Sequence, residues 1–209
     1  MISNSANLAD FIHGTLPDWT IKEYIKTGII GIKNLVPDWE RDIDQVSMDF
    51  HLGKRILIPT MGRHIVIDIR KGVDASMYEE ISLKTGEPIT IRPGQFFIGE
   101  TMEVLTLPAN IIGRLEGKSS FARLGIVIHQ TSARFDPGWD GPAALELRNN
   151  SDNDVILYSG DKICAFSFEK LDVPVEKPWQ KKTYRNHGNS TLQSTINEDN
   201  LSGSRKKVK

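Results

Sequence analysis

"GRLEGKSS", Gly113 to Ser120, is the stretch on which the fold turns. It falls one residue short of a phosphate-binding P-loop, which needs four residues between its first Gly and its Gly-Lys-Ser/Thr. Here Arg114, Leu115 and Glu116 alone separate Gly113 from Gly117. A P-loop joins a strand to a helix in a parallel α/β unit, so the neighbouring sequence decides the matter. "KRILIPT", "HIVIDIR", "EPITIRPG" and "GQFFIGETMEVLTLP" come before it; "ARLGIVIHQTSARF", "GPAALELRN", "DVILYSG" and "KICAFSFEKL" come after. All read as strands, rich in β-branched and aromatic residues with partial alternation. Gly and Pro punctuate them, and "DPGWDG" is a turn signal. A short helix is read over "PDWTIKEYIKTG", with Asp18 as N-cap, Gly28 as stop, and Trp19, Ile21, Tyr24 and Ile25 sharing one face. The pattern predicts a mainly β chain, a sandwich, jelly roll or barrel, with a short N-terminal helix.

Composition narrows the class. The 209 residues suffice for one sizeable domain, and 39% hydrophobic with 25% charged residues is ordinary for a globular chain. Twenty-six basic and 27 acidic residues give a net charge of -1, so nothing in the total points to nucleic acid or a membrane surface as partner. No run of about 18 apolar residues predicts a transmembrane helix. The lone Cys164, in "KICAFSF", reads as a small buried residue; it can form no intrachain disulfide and no cysteine-rich zinc site, and it fits a cytoplasmic setting. From about Lys177 the chain turns polar, which reads as a disordered end or as a flap that orders over a ligand. The boundaries expected are a domain over 1–185 and a polar tail over 186–209.

Chemistry concentrates between Gly113 and Asn149. Lys118, Ser119, Ser120 and Arg123 offer an ammonium, two hydroxyls and a guanidinium within six positions, a set suited to a phosphate chain. Glu146 stands between Leu145 and Leu147; on a strand it takes the face opposite both leucines, either as a solvated side chain or as a proton-moving group in a pocket. His129 reads as a hydrogen-bonded structural histidine. His13, His51, His64 and His187 show no metal-ligand spacing.

"GKSSFARLGIVIHQTSARFDPGWDGPAALELRN" resembles the core motif of the dCTP deaminases, within the trimeric dUTPase superfamily. "QVSMDFHLGKRI" resembles the family's Ser-x-Asp-x-x-Leu-Gly segment, and "YSGDKICAFSFEKL" its Pro-Gly-x-x-Ile-Gly-x-x-x-Phe segment. The resemblance covers about residues 18–179. It implies a distorted jelly roll of the dUTPase-like type, assembled as a homotrimer with sites between subunits. It implies hydrolysis of dCTP to dUTP and ammonia without zinc, with Mg²⁺ carried by the triphosphate, and feedback by dTTP. Position by position, it implies phosphate contacts at Lys118, Ser119 and Ser120, and the family's motif arginine at Arg123. It implies a sugar contact at Asp136 and a base-reading strand over Ala144, Leu145 and Glu146. Glu146 is the implied general base and acid, with Ser119 and Arg123 orienting the water.

Three departures bear on this. Ser132 stands where the family has Ala, and Trp179 where a phosphate-contacting Tyr is common. The family's tail Lys and Gln fall near Thr183 and His187, with Lys182 the other candidate for the Lys. Two rival readings remain: a dUTPase or bifunctional enzyme that releases pyrophosphate, and a nucleotide-binding relative without turnover. Ala133 and Arg134 look more like the monofunctional deaminase, since bifunctional members tend to carry Gly and then an aromatic residue there.

Overall fold

The computed structural model describes residues 13–60, 66, 68 and 75–180. Twelve strands follow one another: β1 Gly14–Thr15, β2 Gly31–Lys33, β3 Ser47–Pro59, β4 Tyr78–Ser82, β5 Pro88–Ile91, β6 Phe96–Thr106, β7 Ile111–Gly117, β8 Ile126–Val127, β9 Arg134–Phe135, β10 Asp140–Asn149, β11 Val155–Tyr158 and β12 Lys162–Lys170. Helix α1 spans Asp18–Lys26, and a single helical turn, α2, spans Ser119–Ala122. The main sheet runs β8-β10-β6-β3-β12-β7-β9, with β1 on β12, β2 on β6 and β4 on β3; β5 and β11 form a separate ribbon. Its pairings are antiparallel. The expected mainly β architecture with a short N-terminal helix is therefore the observed one, and the P-loop alternative falls with its parallel sheet.

β3 curls the sheet. Its first half pairs with β12 and its second half with β4 and β6, and the register against β6 shifts between Leu52 and Ile56. Gly53 sits at that shift, where a Cβ would lie 2.7 Å from the Glu100 carbonyl oxygen. The missing side chain lets two backbones approach and the strand bend. Inside the curl, Phe50, Leu52, Ile56, Phe97, Leu105, Leu115, Leu145, Leu147 and Phe166 are buried in one core, with Phe50 and Phe166 rings 4.7 Å apart.

Helix α1 seats Ile21, Tyr24 and Ile25 on this core. Two details differ from the sequence reading. The N-cap is Pro17, whose carbonyl accepts the Thr20 and Ile21 N–H groups, and Asp18 falls inside the first turn, where its charge suits the helix dipole. Trp19 is 44% exposed, because at about 100° per residue it points away from Ile21. Gly28 does follow the helix, with φ +76°. "ARLGIVIHQTSARF" is not one strand: Ala122 closes α2, Gly125 turns at φ +81°, and only β8 and β9 are extended. "HIVIDIR" lies largely outside the described residues, as does the tail over 186–209.

Substituting Gly53→Ala should lower stability by about 1–3 kcal/mol, the range for overpacking, seen as a fall in the thermal midpoint.

Candidate active site

At the end of β7 the chain leaves the sheet at Lys118 in an extended conformation and coils into α2, with the Lys118 carbonyl accepting the Phe121 and Ala122 N–H groups. This single turn carries Ser119 and Ser120 on exposed backbone, and Arg123 exposed just after it. Lys118, Ser119, Ser120 and Arg123 are thus brought together. A cleft of about 430 Å³ opens beside them, lined by Gly117, Lys118, Ile126, Ile128, His129 and Asn150 among others. The Nδ1 of His129 is buried and has no hydrogen-bond partner among the described residues, so the expected hydrogen bond is not made at that nitrogen.

β10 supplies the carboxylate. Ala143, Leu145 and Leu147 are fully buried in the core, while Ala144 and Glu146 take the opposite face, as alternation requires. Ala144 packs there against buried Leu57 and Ile98, and Ile98 is Glu146's neighbour across the β10–β6 pair. The Gln130 backbone N–H donates to Glu146 Oε2 at 3.2 Å, and the Gln130 amide donates to the Glu146 carbonyl at 3.4 Å. Gln130 follows His129, so one short segment ties Glu146 to the cleft of Lys118. Since β8 pairs only with Arg148 and Asn149, the β10 edge from Ala144 to Glu146 has no strand on that side among the described residues. Leu145 is 0% exposed and offers that edge its backbone alone.

Asp136 lies elsewhere. It opens the turn that follows β9, pairs with Arg134 at 2.8 Å, and its carbonyl accepts the Trp139 N–H. β9 meets β7 at Gly113 and Arg114. Lys118 is five residues beyond Gly113, roughly 17 Å at ~3.3 Å per residue of strand. Trp179 joins Asp136 rather than Lys118. Its N–H donates to the Pro137 carbonyl at 2.8 Å, and its ring lies 4.6 Å from that of Trp139. Gly138, at φ +90°, permits this: a Cβ there would stand 2.8 Å from Pro178 Cβ and from the Trp179 carbonyl oxygen. One chain therefore carries the expected site residues as two separated groups, and Lys182 lies outside the described residues.

A model of the family described as "dCTP deaminase-like" matches residues 15–171. The chain belongs to that family. A protein named dCTP deaminase from Idiomarina loihiensis is 38% identical over 194 residues, covering 88% of this chain and 98% of its own. One named dCTP deaminase, dUMP-forming, from Dictyoglomus thermophilum is 36% identical over 187 residues, covering 88% and 95%. The crystal structure of a 2'-deoxycytidine 5'-triphosphate deaminase from Agrobacterium tumefaciens superposes with a TM-score of 0.59 at 19% identity, over 76% of this chain and 47% of that one. This chain thus spans about half of that structure's length, and the likeness is one of fold.

Beneath these residues lie the buried Asp42, Asp49, His51 and Glu103, which the sequence reading does not single out. Lys118 Nζ donates to Asp49 Oδ1 at 2.5 Å; Lys162 Nζ reaches Asp49 Oδ2 at 3.3 Å and Asp42 Oδ1 at 2.7 Å. The hydrogen bond and charge of Asp42 raise the Lys162 ammonium above its ordinary value. Next to them His51 Nδ1 meets Glu103 Oε1 at 2.6 Å, and the His51 backbone N–H donates to Glu103 Oε2 at 2.9 Å. The available signal was Asp49 and His51 alternating with Met48, Phe50 and Leu52 on β3, polar groups in a strand buried on both faces. No helix of the described residues is long and apolar enough to cross a membrane.

The Glu103 hydrogen bond, outweighing desolvation, raises the His51 imidazole above its ordinary value of 6.5. Its stabilising contribution is then complete below about pH 6.5 and is lost as pH rises through the elevated folded value. Thermal midpoints measured upward from about pH 6 should fall for the wild type, and His51→Gln should flatten that portion of the profile.

Proposed function

We propose that the protein is a dCTP deaminase, converting dCTP and water to dUTP and ammonia, with Glu146 as the proton-transfer group. The observation that carries this reading is Glu146 itself. In a chain of this family, its carboxylate stands on the non-core face of β10, held by the Gln130 N–H, at an unpaired strand edge that can read a base. Glu146 takes a proton from the attacking water as its oxygen adds to cytosine C4 and passes it to the ring N3, then carries the remaining hydroxyl proton from the C4 adduct to the amine, which leaves as ammonia as the C4–N bond breaks and C4=O forms. Ser119 and Arg123 orient that water and offset the charge that develops. Lys118, Ser119 and Ser120 hold the phosphates, with Asp136 on the sugar, Ala144 and Leu145 on the base, and Trp179 and Lys182 closing on the triphosphate. The Lys118–Arg123 donors are cationic and hydroxylic, complementary to phosphate oxygens, so Mg²⁺ arrives in this reading on the triphosphate itself, bound by its oxygens and water.

The distance between the Lys118 and Asp136 groups supports a homotrimer in which one subunit's Asp136 turn completes another's site. In this reading the catalytic domain spans 1–185 and the polar tail 186–209, and the buried Cys164 thiol fits a cytoplasmic protein. Relatives named dUMP-forming favour a second reading, in which dUTP is cleaved further to dUMP and pyrophosphate.

Incubation with dCTP and Mg²⁺, followed for ammonia, dUTP, dUMP and pyrophosphate, separates the readings. dUTP and ammonia alone support the deaminase; dUMP with pyrophosphate supports the bifunctional enzyme; binding without product leaves a silent nucleotide binder. Glu146→Gln should lower kcat by about 10²-fold or more while dCTP affinity changes little. Full turnover in that variant would remove Glu146 from its role.

A further inference from the structure

We propose that Asp49 is a positioning residue that fixes the Lys118 ammonium for the nucleotide's phosphates, an inference that rests on the phosphate-binding reading of Lys118. A lysine carries its charge on a flexible four-carbon stem, so an unaided ammonium at a strand end samples many positions. Here Lys118 Nζ lies 2.5 Å from Asp49 Oδ1. Asp49 itself cannot swing: its side chain is 8% exposed, and its other oxygen faces Lys162 Nζ at 3.3 Å. Lys162 is in turn held by the buried Asp42, 2.7 Å away, in the 3₁₀ turn Trp39–Asp42. The row Asp42–Lys162–Asp49–Lys118 thus crosses from that turn through β12 and β3 to the end of β7.

An ammonium has three N–H donors. One is held by Asp49, which leaves two for phosphate oxygens, and the Lys118 side chain is 26% exposed at the mouth of the cleft. The row contains two carboxylates and two ammoniums, so it is neutral as a whole. The end of the row that lines the cleft is an ammonium, that of Lys118. The arrangement pre-orders the charge that a triphosphate meets, and ordering before binding raises affinity without changing the chemical step.

The test is a double-mutant cycle in the full-length chain with dCTP as substrate. Asp49→Asn should raise KM about tenfold while kcat stays within about twofold, and on a Lys118→Ala background the same change should add less than about twofold, because the pair acts as one unit. An unchanged KM, a loss confined to kcat, or a full additional loss on Lys118→Ala would overturn the proposal, since a carboxylate serving only the fold acts independently of Lys118. If Asp49→Asn does not fold, by circular dichroism and thermal melting, Lys162→Met replaces it. That change frees the second Asp49 oxygen, and it should raise KM in the wild type and add nothing on Lys118→Ala; any other result overturns the proposal. A wild-type protein without dCTP turnover would instead sink the deaminase reading. The same cycle is then read by calorimetric dCTP binding, with the same outcomes deciding.

Discussion

The register of β10 against β6 is the constraint on which the rest depends. With Leu145 and Leu147 turned into the core, Glu146 must face the other way, beside Ala144 and across from Ile98. Side chains alternate with a period of two, so a slip of one residue would turn the leucines to water and press the carboxylate into the apolar interior. The same pairing that assembles the core therefore aims the proposed reacting group. Stability and orientation are set by one set of hydrogen bonds.

Around this strand the polar groups follow a consistent logic. Burying a charge is costly unless a partner and hydrogen bonds compensate it. His51 with Glu103 meets that condition inside the curl, while the buried Asp42 is partnered by a Lys162 that is itself 42% exposed. Lys118 meets it only in part, with its ammonium partnered on the inside and open on the outside. The Asp136 turn is organised differently, around aromatic packing of Phe135, Trp139 and Trp179 and a glycine that lets the later chain lie flat upon it. One group is built from ion pairs at the end of a strand, the other from stacked rings on a turn, and they sit at opposite ends of β7.

Much of this was legible in the sequence. Alternation in "AALELRN" gave the facing of Glu146, and the density of Gly, Pro and β-branched residues gave the mainly β class. The clustering of Lys118, Ser119, Ser120 and Arg123 needed only proximity along the chain. What local pattern could not supply was long-range. Asp49 and Lys118 are 69 positions apart, and His51 and Glu103 are 52 apart, so nothing in either neighbourhood announces the pairing. Trp19 was misplaced because hydrophobicity was read without its angular position on the helix. The run from Ala122 to Phe135 was misread because β-branched composition masked a helical turn and a left-handed glycine. The seat of Trp179 depends on the φ of Gly138 and on a contact across the fold.

The buried His51–Glu103 pair also changes weight with temperature. Hydration of charged groups has a strongly negative entropy, so the penalty for withdrawing them from water shrinks as temperature rises, while apolar stabilisation levels off. The buried His51–Glu103 pair between β3 and β6 therefore gains weight relative to the phenylalanine and leucine core on warming. A pair that is costly to assemble in the cold becomes a brace at high temperature, and it stands on β3 two residues from Asp49, the partner of Lys118.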